Sequence, residues 1–378
     1  MMRSAPLFVV ALLVLSCSKS TSSSSNAAAG GTGPAGGGTA QDGTDTTAGG
    51  SGAGDGDDMS GSVAGSAGAP TTVPDAYDDS GCEHPAIAKD CKEGWCKVPP
   101  GCFIMGSPEQ EWGHPPQEKR VKVTLTHGFV IGQHEVTNQQ WASFELANPG
   151  RVIDSGPGAG IGDCNEPECP VGNVTWFEAV SYANLLSDEE GLERCYELTN
   201  CVNSIGAKPV GLVCEDFKIS TKTIYDCKGY RLPTDPEWEY AARAGTRSAF
   251  YSGDMTSRGE VGVCVEEPAL NDIAWYCFNA GKLTKRVGQL APNAWGLFDV
   301  LGNAEEWSHD QSGWVPTAEA LTDPDQTFGP GQARDTRGGA PFAWPGVCRA
   351  ASRGSASAGF ASPATGFRLV RTLPSPEP

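Results

Sequence analysis

"GYRLPTDPEWEYAARAGT" (residues 229–246) contains a complete signal for starting a helix. Thr234 precedes Glu237 by three residues, the spacing of a capping box. The threonine hydroxyl accepts from the amide at the third helical position, and the glutamate returns to the threonine amide. The run "EWEYAARA" that follows should stop at Gly245, a residue suited to a helix end. Trp238 and Tyr240 are expected in or near the core, and Arg231 and Arg243 are expected to pair with local carboxylates. The same grammar recurs at Thr137-Asn-Gln-Gln140 and Thr175-Trp-Phe-Glu178. After Thr175, the residues Trp176, Ala179, Val180 and Ala183 fall on one helical face.

Between these helix starts the chain reads as short strands and long loops. "VKVTLT" (121–126) alternates, with Val121, Val123 and Leu125 on one side. "GFVIG" follows it, and "GFRLVR" (366–371) is a candidate closing strand. Segments 150–170, 196–228 and 248–268 are turn-rich and carry cysteines. The expected class is α+β with little regular secondary structure, short helices and twisted antiparallel strands.

Outside this region the composition changes. Residues 1–17, "MMRSAPLFVVALLVLSC", have a basic head and an apolar run too short to span a bilayer, as in a secretory signal. Val14-Leu15-Ser16-Cys17 resembles the bacterial lipobox. That likeness implies lipid attachment at Cys17 and export to the outer membrane or cell surface. Residues 18–80 are Gly, Ser, Ala, Thr and Asp with almost no large apolar side chain, the composition of a flexible tether. A cysteine-rich lead-in occupies 81–102. The net charge of −19 argues against nucleic acid as a partner. The expected partners are the membrane, through the lipid, and a protein or peptide.

Fourteen cysteines in an exported chain read first as disulfides. Close pairs are expected at Cys164/Cys169, Cys195/Cys201, Cys214/Cys227 and Cys264/Cys277, with Cys82, Cys91, Cys96 and Cys102 as a cluster. With Cys17 assigned to lipid, Cys348 is left over.

Several blocks taken together resemble the formylglycine-generating enzyme, or sulfatase-modifying-factor, family. They are "FIMGS" (103–107), "HEVTNQQW" (134–141), "PVGNVTWFEAVSYAN" (170–184), the opening block, "NAWGLFDVLGNAEEW" (293–307), "RGGA" (337–340) and "GFRLVR". They come in the family's order and place a domain at 97–373. The resemblance implies a variant of the C-type-lectin-like fold. It also implies calcium at Asp299, Gly302, Ala304 and Glu306, through two side-chain oxygens and two backbone carbonyls. Calcium takes six to eight oxygens in loose geometry, which a tight glycine turn can supply.

The family's oxidases use two cysteines separated by four residues, just after Gly-Gly-Ser, to bind copper(I) and oxidise a substrate cysteine to Cα-formylglycine. Here Gly338-Gly339 is followed by Ala340, and the neighbourhood of Ala343 has no first cysteine. Cys348 lies near the second position when a gap is allowed. Without one, "CRAASR" matches relatives in which that cysteine is structural. Phe342, Trp344 and Pro345 fill the segment with apolar surface. Two readings stay open. One is a tethered binding or modifying module without the copper pair. The other is an oxidase with Cys348 as copper(I) thiolate and a distant helper, Cys277 or Cys264. Arg337, Arg349, Arg353 and Arg368 either line an anionic pocket or hold loops from within.

Overall fold

All three capping boxes form in the computed structural model, which describes residues 77–144, 164–206, 211–257, 259–327 and 333–374. Cys17 and nearly all of the expected tether lie outside the described residues. The helices are α1 (Asn138–Ala142), α2 (Trp176–Glu189) and α3 (Asp235–Arg243). In α3 the Thr234 hydroxyl accepts from the Glu237 amide at 3.3 Å, and Glu237 accepts from the Thr234 amide at 2.9 Å. Ala244 turns left-handed at φ 43° before Gly245, and the helix ends there. A fourth box at Thr223 and Asp226 opens a single 3-10 turn, Ile224–Asp226.

Every residue of α3 is buried, including its charged ones. Buried charge is tolerated only when paired. Arg231 grips Glu237 with two contacts of 2.7 Å, and Glu239 accepts from Arg243 at 2.9 Å and Arg337 at 2.6 Å. Burial alone would raise the Glu239 carboxyl, but Arg243, Arg337 and Arg353 bring it down to about 2. Trp238 and Tyr240 are core residues, as expected. α2 is buried more completely than its one-face pattern implied, since Phe177, Glu178, Tyr182 and Asn184 are also covered.

The strands are short and divide among four sheets. The largest runs in the order Cys91–Lys92, Trp95–Val98, Phe129–Gly132, Val370–Thr372, Tyr230–Arg231, all antiparallel. A second joins Ala320–Thr322, Val121–Leu125 and Gly101–Met105; Val121, Val123 and Leu125 point into the core as the alternation requires. A third joins Gly354–Ser357, Ala333–Arg337, Glu305–Gln311 and Thr365–Gly366. The expected closing strand is thus divided, with Thr365–Gly366 in one sheet and Val370–Thr372 in another. Residues 77–80, assigned to the tether, already touch the body. Arg120 lies 4.8 Å over the Tyr77 ring, and Lys122 donates to the Ser80 carbonyl.

The fourth sheet corrects the reading of 196–228 as turns. Tyr196–Val202 and Val213–Ile219 form an antiparallel ribbon with Cys201 directly opposite Cys214. This register also corrects two disulfides. The bonds are Cys195–Cys227 and Cys201–Cys214, not Cys195–Cys201 and Cys214–Cys227. Six residues along an extended strand put Cys195 and Cys201 roughly 20 Å apart, beyond the reach of a disulfide. The other bonds are Cys82–Cys102, Cys91–Cys96, Cys164–Cys169 and Cys264–Cys277.

Candidate functional site

The C-terminal loop leaves the strand Ala333–Arg337 through Gly338 and Gly339, at φ 88° and 82°. It turns at Pro345–Val347 and reaches Cys348. Three anchors hold it. The Cys277 amide donates to the Ala343 carbonyl at 3.1 Å, the Ala350 amide to Ala249 at 2.8 Å, and Arg349 clamps a second loop from across the chain. Arg349 donates to Glu118 at 2.6 and 2.9 Å, to Glu111 at 2.7 Å and to the Gly113 carbonyl at 2.7 Å. Ser107 completes this clamp by donating to Glu118 at 2.7 Å. Trp112 meets Trp344 edge-on with centroids 4.8 Å apart, and Phe342, two residues before Trp344, stays 41% exposed.

The four arginines are structural. Arg337 is buried between Asp235 and Glu239 and lies over the Trp238 ring, and Arg353 contacts Asp235 at 2.8 Å. Arg368 takes both oxygens of Glu306 at 2.6 and 2.7 Å. None of the four is left over to form an anionic pocket.

Cys348 is fully buried and is the one free cysteine among the described residues. Burial pushes its thiol up to about 12, so it is protonated at neutral pH. Four residues separate Ala343 from Cys348, so the spacing needs no gap, contrary to the expectation from the sequence, and the two side chains are neighbours. A Cβ built on Gly339 would lie 3.4 Å from the Ala343 Cβ and 3.0 Å from the Cys348 sulfur. The position to which the resemblance assigns a partner sulfur carries a methyl group. The suspected helpers, Cys264 and Cys277, are bonded to each other. Copper(I) is well served by linear ligation from two thiolates. This donor set, a single protonated thiol, does not fit it.

The turn expected to hold calcium lies next to this loop, and the Gly302 amide donates to the Gly338 carbonyl at 2.8 Å. Gly302, at φ 77°, passes so close to Trp275 that a Cβ would lie 2.4 Å from its carbonyl oxygen. Asp299, at φ 53°, accepts from the Gly288 amide at 2.7 Å through Oδ2, while its buried Oδ1 has no hydrogen-bond partner. Glu135 is buried in the same cluster. Its Oε1 accepts from Asn303 and from the Ala304 amide, and its Oε2 has no partner. Burial and the nearby Asp299 push Glu135 well above the carboxylate range, and burial brings Asp299 up to about 6. Two orphaned carboxylate oxygens fit a cation. Glu306 fits less well, since Arg368 and the Trp238 indole already occupy its oxygens. Among the described residues no three His, Cys, Asp or Glu side chains are arranged as a metal cage. A cation here would need backbone carbonyls. Sequence reasoning missed Glu135; its place in "HEVTNQQW", 164 residues before Asp299, carried no spacing signal.

Residues 84–373 match the sulfatase-modifying factor enzyme 1-like domain. The chain belongs to that family. A formylglycine-generating enzyme of Streptomyces coelicolor is 35% identical over 304 residues, covering 76% of this chain and 91% of the relative. A chaperone protein, LppX, of Paenibacillus barcinonensis is 29% identical over 269 residues, covering 66% and 82%. Among solved structures, Treponema denticola variable protein 1 superposes with a TM-score of 0.56 at 26% identity, over 74% of this chain and 95% of that one. PvdO from Pseudomonas aeruginosa superposes at 0.51 and 24% identity, over 76% and 98%, a likeness of fold. The architecture is the family's variant of the C-type-lectin-like fold. In this chain the loop after Gly338-Gly339 carries Ala343 with four residues between it and Cys348.

Proposed function

We propose that this chain is an exported, lipid-tethered member of the sulfatase-modifying-factor family that binds a polypeptide instead of oxidising a cysteine. The observation that carries the reading is the state of Cys348: buried, protonated, and beside Ala343 with no second sulfur. Six disulfides suit an oxidising compartment. The lipobox-like run ending at Cys17 supplies the anchor, and the polar segment after it the tether. The relative named as a chaperone supports a polypeptide partner. The binding surface in this reading is the rim of the C-terminal loop, where Phe342, two residues before Trp344, and Phe278, which follows the Cys277 amide bonded to Ala343, are exposed. Aromatic side chains supply much of the energy in such contacts. Calcium, held by Asp299 and Glu135 with carbonyls of the Gly302–Ala304 turn, would be structural.

The test is incubation of the purified chain with a Cys-x-Pro-x-Arg peptide, copper and oxygen. No aldehyde is expected. Aldehyde formation that disappears in Cys348→Ser would establish the oxidase reading instead. In parallel, Phe342→Ser should weaken capture of a reduced, carboxymethylated polypeptide by about tenfold, the loss of one good contact. Equal capture by both proteins would remove the rim from the reading.

A further inference from the structure

We propose that Cys264–Cys277 is a thiol–disulfide exchange site open to an external dithiol, and that opening it loosens the loop carrying Cys348. Of the six disulfides among the described residues, this is the one with neither half buried. Cys264 is exposed and Cys277 half-buried, whereas each other bond has at least one buried cysteine: Cys102, Cys96, Cys169, Cys214, or both Cys195 and Cys227. Exchange needs in-line access to a sulfur, so exposure selects this bond.

The bond also does a mechanical job. Thr256 and Ser257 are held by their amides to the buried carboxylate of Glu267 at 3.0 and 2.7 Å. Beyond them, between residues 259 and 265, the one backbone hydrogen bond among the described residues is internal, from Val263 to Glu260. Its ends are held through Glu266 and Glu267, and between them the disulfide is the covalent tie of this segment to the body. Its other end, Cys277, donates its amide to Ala343. That is the carbonyl of the residue whose side chain neighbours Cys348. Val261, Val263 and Phe278, 72%, 43% and 51% exposed, lie close in sequence to the two sulfurs.

A thiolate of the dithiol attacks the exposed Cys264 sulfur, the Cys264–Cys277 bond breaks, and Cys277 leaves as a thiolate and takes up a proton. The second thiol of the dithiol then displaces Cys264 from the mixed disulfide. The dithiol becomes a disulfide, and the protein gains two electrons and two thiols.

The inference does not depend on the polypeptide-binding reading. The test treats the folded chain with graded dithiothreitol, alkylates free thiols and maps them by mass spectrometry, with amide hydrogen exchange alongside. Cys264 and Cys277 are expected to label at least about ten times faster than Cys201 and Cys214, the pair with one exposed half. Amides of 340–348 should exchange faster once the bond is open. Earlier opening of any other bond, or opening of all six together, would overturn the exchange site. Unchanged exchange at 340–348 would overturn the coupling. Cys264→Ser/Cys277→Ser should reproduce the faster exchange without reductant; if that variant does not fold, the wild-type rates decide alone.

Discussion

Two glycine turns lie side by side in this molecule, joined by the Gly302–Gly338 hydrogen bond, and each is a place where the family resemblance implies an ion. At the Asp299–Glu306 turn, two buried carboxylate oxygens lack partners, and the cluster of Glu135, Asp299 and Glu306 has Arg368 as its paired cation. At the Gly338–Cys348 loop burial likewise favours the protonated form, but the group it acts on stands alone. A thiol can shed the cost of burial by staying protonated, and with Ala343 beside it nothing demands a metal. Each of the two carboxylates, Glu135 and Asp299, has one oxygen satisfied and one oxygen still open to a cation; the lone thiol has no second sulfur with which to hold a metal.

The largest expected effect would erase the contrast. Ala343→Cys restores a second sulfur at the family spacing. It should take the protein from no measurable copper(I) binding to one ion per chain, read by competition with a chromophoric chelator. Failure to gain copper would mean that the loop, not the missing sulfur, excludes the metal.

Next is the cation already built into the first turn. Arg368→Met leaves Glu306 buried without its partner and should cost about 3–5 kcal/mol in denaturant unfolding. A loss below about 1 kcal/mol would show that the pair is not needed for the turn's stability.

Calcium separates the two turns directly. If it binds at Asp299 and Glu135, calcium at a hundred times its dissociation constant should add about 2.7 kcal/mol. Chelation should lower the melting temperature, and Asp299→Ala should abolish the response. A melting temperature indifferent to calcium in the wild type would remove the ion from this turn.

The smallest effect concerns the thiol. Cys348→Ser places a hydroxyl in the same buried site and should cost about 1–3 kcal/mol in the same unfolding measurement, with no change in copper affinity. A serine variant as stable as wild type would imply that the hydroxyl finds a partner there.

Much of the fold was legible because its signals are local. Thr137, Thr175 and Thr234 each met a Gln or Glu three residues on, and a capping box needs nothing beyond one helical turn. The alternation of Val121, Val123 and Leu125 likewise named its own buried face. The ordered blocks from Phe103 to Arg371 identified the family. Pairing across the chain was not legible. The partner of Cys201 depended on the register of a ribbon read as turns, and the cluster around Asp299 drew on Glu135 from a distant block.

By itself, the sequence determined where helices start, which residues face inward, that cysteines would pair, and that the C-terminal loop has an alanine at position 343. Only the tertiary structure decided which cysteines pair, that Cys348 is sealed and protonated, and that Glu135 and Asp299 share one buried cluster. The physical reason is range. Capping and alternation act over a few residues along the backbone, whereas burial, sulfur pairing and charge coupling depend on distances through space.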